Sequence, residues 1–374
     1  GDWLASVYDV NLPVRANSPA PGIEDEAIAM LRALFGLPDT FSGTFVSGAT
    51  MANLTGLATG REWLAAQRGA SVARDGLGAL PRIRVLSGEP HSSSLKALSI
   101  LGVGRASVRL VPVLDGDREA VDLPALAKAL MSEPETPTIV IANAGTVNTV
   151  DFDDLRAIAA MRAMAPFWLH VDGAFGGFAA CSPRFNGNVD GIELADSITI
   201  DAHKWLNVPY DSAMIFTRHP ALQVKVFQNT AAYIGDIGDP ADYVHMAPES
   251  SRRLRALPAW FSLMAYGRAG YRDMVDRCCD CAADLAGRID GSTRYRLLAP
   301  ARMNVVCFTL SDRPTADRIG RLAAALRDDG RILLTPTRFK GVPGLRAAFS
   351  NWRTTMEDVA VGWAALDEIA GALQ

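Results

Sequence analysis

Six short apolar runs, rich in β-branched residues and spaced by stretches of helical periodicity, constrain this chain more than any other feature of its sequence. They are Ile83–Leu86, Val108–Val113, Thr138–Ala142, Phe167–Val171, Ser197–Ile200 and Ala213–Phe216. Helices expected at about Ser93–Leu101, Leu123–Met131 and Phe152–Met164 separate the first four. Strands that are apolar along their whole length are buried on both faces, so the pattern predicts a mostly parallel sheet covered by helices on each side. Two helices are expected upstream. One is Ile23–Leu34, with Glu24, Asp25 and Glu26 in the first turn where the helix dipole favours acids; the other runs from about Met51 to Gln67. After about Pro248 the texture changes. A long helical stretch, an apolar run Met303–Leu310, a helix Thr315–Arg327, strand-like Ile332–Thr335 and Leu345–Phe349, and a last helix Glu357–Leu373 predict a smaller α+β domain. Residues 1–247 are thus expected to form an N-terminal segment and large domain, and 248–374 a linking helix and small domain. A chain of 374 residues exceeds what one simple core accommodates.

Composition removes several function classes. A formal net charge of −4 argues against a nucleic-acid partner, which calls for a basic face. No uncharged apolar run reaches the roughly 18 residues needed to span a bilayer. The opening Gly1-Asp2-Trp3 carries no basic, signal-like segment. Five cysteines, an odd and low count, suggest reduced thiols and a cytosolic home. Cys278, Cys279 and Cys281 fall in a helical stretch, Tyr271–Ile289, with no nearby histidine or second cysteine pair. They read as helix packing, and no metal is expected.

The unusual polar residues sit just past the carboxyl ends of strands. Ile83–Leu86 leads into Ser87-Gly88-Glu89-Pro90-His91, and Thr138–Ala142 into Asn143 and Gly145-Thr146. Phe167–Val171 ends in Asp172-Gly173, and Ser197–Ile200 in Asp201-Ala202-His203-Lys204. In open α/β sheets this edge is where ligands bind. A lysine at the end of a buried strand is costly as a bare ammonium, and a Schiff base with an aldehyde removes that cost. An acid one strand earlier suits a pyridine nitrogen, whose protonated ring accepts electrons from a carbanion. Lys204 and Asp172 together therefore point to pyridoxal phosphate (PLP). His91 fits a ring stacked on one face of that cofactor. Ser47-Gly48-Ala49-Thr50, at a helix start, fits its phosphate. Taken singly, each has an ordinary alternative: a surface lysine, a turn aspartate, a packed histidine, a plain N-cap.

These segments, with Asn17-Ser18-Pro19 at one end and Asn351-Trp352-Arg353-Thr354-Thr355 at the other, resemble the group II PLP-dependent decarboxylases, the family of aromatic-L-amino-acid, tyrosine and glutamate decarboxylases. His91-Ser92-Ser93, Gly145-Thr146, His170-Val171-Asp172 and His203-Lys204-Trp205 occur in that family's order. The resemblance implies fold type I, with a mostly parallel seven-stranded sheet in the large domain and a small C-terminal α+β domain. It also implies a homodimer with active sites at the subunit interface and a small amino-acid substrate. By position, Lys204 matches the Schiff-base lysine, Asp172 the pyridine-nitrogen partner and His91 the stacked histidine. Ala174 matches the small residue on the opposite face, and Thr146 a threonine near the ring oxygen and substrate carboxylate. Ala49, Thr50, Asp201 and His203 match phosphate-side positions. Asp242-Tyr243-Val244-His245-Met246 resembles the mobile loop of the aromatic decarboxylases, which makes Tyr243 the expected acid that protonates the carbanion after CO2 loss, with His91 the other candidate. The implied reaction takes an L-amino acid, aromatic by this loop likeness, to its amine and CO2.

Three departures bear on that expectation. Asp201 stands where some relatives carry an asparagine; a carboxylate beside a phosphate dianion repels it, so Asp201 is expected to turn away or pair with a cation. Val147 replaces a second threonine or serine. Relatives also carry a segment before the Asp2-Trp3-Leu4-Ala5 helix, so either this sequence is part of a longer protein or its pocket is built differently. Aldehyde synthesis by oxidative deamination, another amino-acid transformation, and a PLP-binding homologue without turnover remain alternatives. Gly102-Val103-Gly104 has no third glycine, Ser107 standing there, and precedes a strand, which excludes a dinucleotide fingerprint. Arg346, before Ala347-Ala348-Phe349, reads as a salt-bridge residue more readily than as a pocket residue.

Overall fold

The computed structural model describes residues 1–7, 14–15, 18–229 and 236–372; Asn17, Leu373 and Gln374, named in the expectations above, lie outside them. The large domain is built on seven strands: β1 (Ser42–Val46), β2 (Arg84–Ser87), β3 (Val108–Leu110), β4 (Thr138–Asn143), β5 (Trp168–Asp172), β6 (Ser197–Asp201) and β7 (Ala213–Thr217). Their order in the sheet is β1-β7-β6-β5-β4-β2-β3. Neighbours from β3 across to β6 pair in parallel, and β7 runs antiparallel to both β6 and β1. The reversal follows from chain length. Only residues 202–212 join β6 to β7, too few for the crossover that a parallel neighbour requires. Every residue of β2, β4, β5, β6 and β7 is buried, as continuous apolar runs demand.

Several boundaries differ from the sequence expectation. β1 was not anticipated, because Ser42, Gly43 and Thr44 carry no strand-like signature of their own. β3 stops at Leu110, two residues before Pro112, which has no N–H for the ladder. In the small domain the order is β10-β11-β9-β8, all antiparallel, with β8 (Tyr295–Leu297), β9 (Val305–Leu310), β10 (Thr335–Phe339) and β11 (Val342–Ala348). β8 was missed. The strand expected at Ile332–Thr335 begins only at Thr335, where pairing with β11 supplies a partner. Helices Ala316–Asp329 and Met356–Ala372 pack on this sheet.

A 35-residue helical stretch, Ala256–Asp290, ties the two cores together and bends at Gly267, whose φ of +57° lies in the left-handed region. Ala259, Leu263, Met274, Cys278 and Cys279 face the large core, and Cys281, Leu285 and Ile289 the small one. The cysteine cluster thus serves packing. Burial drives the Cys278 thiol up to about 12, which leaves it inert. Among the described residues, no helix is long and apolar enough to cross a membrane.

One helix–strand contact positions the site. Helix Ala49–Ala66 lies against β5 with Gly60 over Trp168, Gly56 over His170 and Asn53 beside Asp172. A Cβ at Gly60 would stand 2.7 Å from the Trp168 ring, and one at Gly56 2.9 Å from the His170 ring. Residues 53, 56 and 60 share a helix face, and 168, 170 and 172 share a strand face. Two glycines thus let the helix approach closely enough for the Asn53 amide to reach Asp172.

Candidate active site

Where β2, β4, β5 and β6 end, their carboxyl edges open into a cavity of about 790 Å³ closed on the far side by β11 of the small domain. Its walls bring together all but one of the residues picked from the sequence: Ala49, Thr50, His91, Thr146, Asp172, Ala174, Asp201, His203 and Lys204. These come from five separate elements, and the sheet order makes neighbours of them. β4, β5 and β6 are adjacent, and Asn143 is directly opposite Asp172 in register.

Asp172 is buried at the tip of β5. Its Oδ2 accepts from Asn53 Nδ2 at 3.0 Å and from Ser94 Oγ at 3.5 Å, and its Oδ1 from the Ala174 amide at 3.2 Å. Lys204 sits one turn beyond β6. Its Nζ is 2.9 Å from Asp201 Oδ2 and 5.5 Å from the centre of the Phe175 ring. Asp201 does pair with a cation, as expected from the charge argument, and its Oδ1 also accepts from the Ala49 amide at 2.7 Å. Apart from that contact, helix Ala49–Ala66 opens on Gly48 with no side-chain cap, so its N-terminal dipole faces the cavity. The His203 imidazole is pushed down by burial, against the pull of Asp201, and its ring packs on Tyr210 at 4.2 Å. On the β2 side, His91 Nδ1 lies 2.7 Å from Ser93 Oγ.

Thr146 Oγ1 donates to Glu119 Oε2 at 2.5 Å and accepts from the Asp151 amide at 2.9 Å, which fixes its hydroxyl. Glu89, also on the wall, is pushed upward by burial and by the charge of Glu119. Val147 lines the same wall, half exposed.

Tyr243 is the exception: the structure places it outside this cavity. It lies in a single helical turn, 4% exposed, and its hydroxyl donates to Asp25 Oδ1 at 2.8 Å. Arg252, in a buried ion pair with Glu24 at 2.7 Å, packs over its ring. Held this way the phenol faces Asp25 and not the cavity, and burial beside Glu24 and Asp25 drives its titration far upward. Local likeness of the Asp242–Met246 stretch could not reveal that its tyrosine turns toward the Ala20–Phe35 helix.

Arg346 is a correction in the other direction. It reaches the cavity from β11, and among the described residues it forms no ion pair, Glu119 acting on it only at longer range. Its guanidinium lies 5.7 Å from the Phe175 ring, its Nε has no partner among the described residues, and burial pulls its titration downward. Asn53 and Glu119 were not singled out from the sequence. For Asn53 a signal existed in the spacing of Asn53, Gly56 and Gly60 along one helix face.

The donor set fits PLP. An amine and a carboxylate stand at neighbouring strand ends, and a helix N-terminus, whose Ala49 amide already holds the Asp201 carboxylate, provides for an anion. Ala174 and His91 leave room for a flat ring. Asn143 Nδ2, on the cavity wall, is a buried donor without a partner among the described residues.

Comparison with known proteins agrees. A family model described as the pyridoxal-dependent decarboxylase conserved domain matches residues 1–311. An aromatic-L-amino-acid decarboxylase from Bacillus atrophaeus is 31% identical over 373 residues, spanning 96% of this chain and 75% of that protein. A tryptophan decarboxylase from Camptotheca acuminata is 27% identical, spanning 77% of this chain and 60% of its own length. The crystal structure of Oryza sativa TDC with PLP and tryptamine superposes with a TM-score of 0.90 over all of this chain and 80% of that one, at 23% identity, a likeness of fold.

Proposed function

Because this chain belongs to the pyridoxal-dependent decarboxylase family, whose cofactor is PLP, we propose that it converts an L-amino acid, aromatic in the first instance, to its amine and CO2. The carrying observation is the meeting of Lys204, Asp172 and a helix N-terminus that opens on Gly48 in one cavity. Bound there, the cofactor supplies an electron-accepting ring for the pair released as the Cα–carboxylate bond breaks.

The chain's own residues do the rest. Lys204 holds the cofactor through its amine and yields to the substrate amine. Asp172 would hold the ring nitrogen, with His91 and Ala174 on the wall beside it. The helix start at Ala49 and Thr50, with His203, holds the phosphate. Thr146, its hydroxyl fixed between Glu119 and the Asp151 amide, shapes the wall beside the ring and substrate. Arg346 binds the substrate carboxylate, a role supported by its guanidinium having no carboxylate partner among the described residues. Phe175 and Val147, beside it on the wall, offer apolar surface to an aromatic side chain. With Nδ1 turned to Ser93, His91 is the candidate to pass a solvent-derived proton to Cα, which gains it in place of CO2; a positioned acid of this kind contributes about 10² to 10⁴ in rate.

We also infer a homodimer. Trp3 is 86% exposed and Val7 78%, beside exposed Phe261 and Met264 on the neighbouring helix, an apolar face of the kind that association covers. Light scattering at twice the chain mass supports this; a monomer at micromolar concentration removes it.

The function is tested by adding PLP, following the visible spectrum while titrating L-amino acids, and measuring CO2 and amine in the same samples. Stoichiometric amine and CO2 from an aromatic amino acid is the expected result. Aldehyde and ammonia in place of amine would replace decarboxylation by the oxidative reaction, and the absence of any visible PLP band would remove the enzyme reading altogether.

A further inference from the structure

The hydrogen bonds behind Asp172 form one buried chain with a fixed direction. Trp168 Nε1, which can only donate, gives its proton to Ser197 Oγ at 3.0 Å. Ser197 Oγ is 2.7 Å from His170 Nδ1, and His170 Nε2 is 2.9 Å from Asn53 Oδ1. Asn53 Nδ2 donates at 3.0 Å to Asp172 Oδ2 and at 3.0 Å to Ser93 Oγ, which in turn meets His91 Nδ1.

The ends set the direction. An ionised Asp172 can only accept, so Asn53 must present its amide nitrogen there and its carbonyl oxygen to His170. His170 then carries its proton on Nε2 and accepts the Ser197 hydroxyl on Nδ1. At the other end the Ser93 amide points at His91 Nδ1 from 3.3 Å, which makes that nitrogen an acceptor too. Asn53, His170, Ser197 and Trp168 are all fully buried. None of the four is on the cavity wall, so they can act on the site only through Asp172 and Ser93. Burying this many polar groups is costly unless every one is paired, and here every one is.

We propose that Asn53 is a positioning residue for Asp172: its amide, held from behind by His170, Ser197 and Trp168, aims the carboxylate into the cavity and couples it through Ser93 to His91. This rests on reading Asp172 as the partner of the cofactor's ring nitrogen. The coupling sets how strongly the carboxylate draws the shared proton, and so how strongly the ring attracts electrons.

The test compares Asn53→Leu, His170→Phe and His170→Gln with the unaltered protein, each loaded with PLP, by titrating the bound cofactor's visible band with pH and measuring PLP affinity. Loss of one donor to a charged group weakens PLP binding in Asn53→Leu by about tenfold and moves the band's pH midpoint up by about one unit. His170→Phe moves it the same way by less, and His170→Gln, which keeps a neutral donor, stays near the parent. Midpoints unchanged in both Asn53→Leu and His170→Phe overturn the proposal, whatever happens to melting temperature, because packing alone would do that. Should the variants not fold, ¹⁵N-histidine NMR of the unaltered protein decides: His170 protonated on Nε2 is expected at neutral pH, and protonation on Nδ1 overturns it. A Lys204→Ala control separates the two levels. If the unaltered protein shows no band that this variant loses, the functional reading falls and takes this inference with it.

Discussion

Lys204 Nζ stands 2.9 Å from Asp201 Oδ2 while the other oxygen of that carboxylate accepts the Ala49 amide at 2.7 Å. One side chain thus engages both the amine that must be freed and a helix-terminal amide suited to phosphate. A phosphate dianion meets repulsion at that corner. Asp201→Asn keeps the shape and removes the charge. We expect it to bind PLP about fivefold more tightly in a direct absorbance titration, with the gain shrinking as salt is raised.

Arg346 lacks a carboxylate partner among the described residues while facing the cavity, so its removal should be felt by the substrate and not by the cofactor. Arg346→Gln is expected to raise KM for the amino acid by about tenfold or more, with PLP affinity unchanged. Arg346→Lys should recover little, because an ammonium cannot reproduce the planar pair of donors. Steady-state kinetics with a parallel PLP titration checks both.

His170 ties stability to pH. Burial pushes its imidazole down to about 4, opposed by the charge of Asp172. The unfolded chain takes up this proton near 6.5, so between about 6.5 and about 4 the unfolded state binds more protons and acid favours it. The stabilisation is complete above about pH 6.5 and lost as pH falls through 4, up to about 3 kcal/mol in all. Urea unfolding at a series of pH values should show this slope in the parent and a flatter one in His170→Gln.

Tyr243 should matter for folding and not for turnover. Its hydroxyl's bond to Asp25 is worth about 1 to 2 kcal/mol, so Tyr243→Phe is expected to lower stability by that amount. Its kcat should stay within about twofold of the parent, a loss too small for a missing proton donor. A kcat fallen by two or more orders of magnitude would restore the catalytic assignment.

The strand ends were legible because burial on both faces leaves a continuous apolar run, and a polar residue ending such a run stands out. His91, Thr146, Asp172, Asp201, His203 and Lys204 were found in this way, and the sheet order carries them to one edge. β1 and β8 were not legible, since short strands with Ser, Gly and Thr, or with Arg296 mid-strand, owe their form to the partners they pair with. The surroundings of Tyr243 were not legible for a related reason. A five-residue likeness fixes no direction for a side chain, and the buried Glu24–Arg252 pair that holds its neighbourhood joins residues 228 positions apart.

By itself, then, the sequence determined the alternation of strands and helices, the residue types at the strand ends and the amine and acid that suit PLP, because these follow from local periodicity and the cost of burying charge. Only the tertiary structure decided which of those residues share a cavity, that Arg346 enters it with no carboxylate partner among the described residues while Tyr243 lies outside it, and that Asn53 stands behind Asp172. Those outcomes depend on how closely a helix can approach a strand, here on two glycines over two aromatic rings, and no local pattern states that distance.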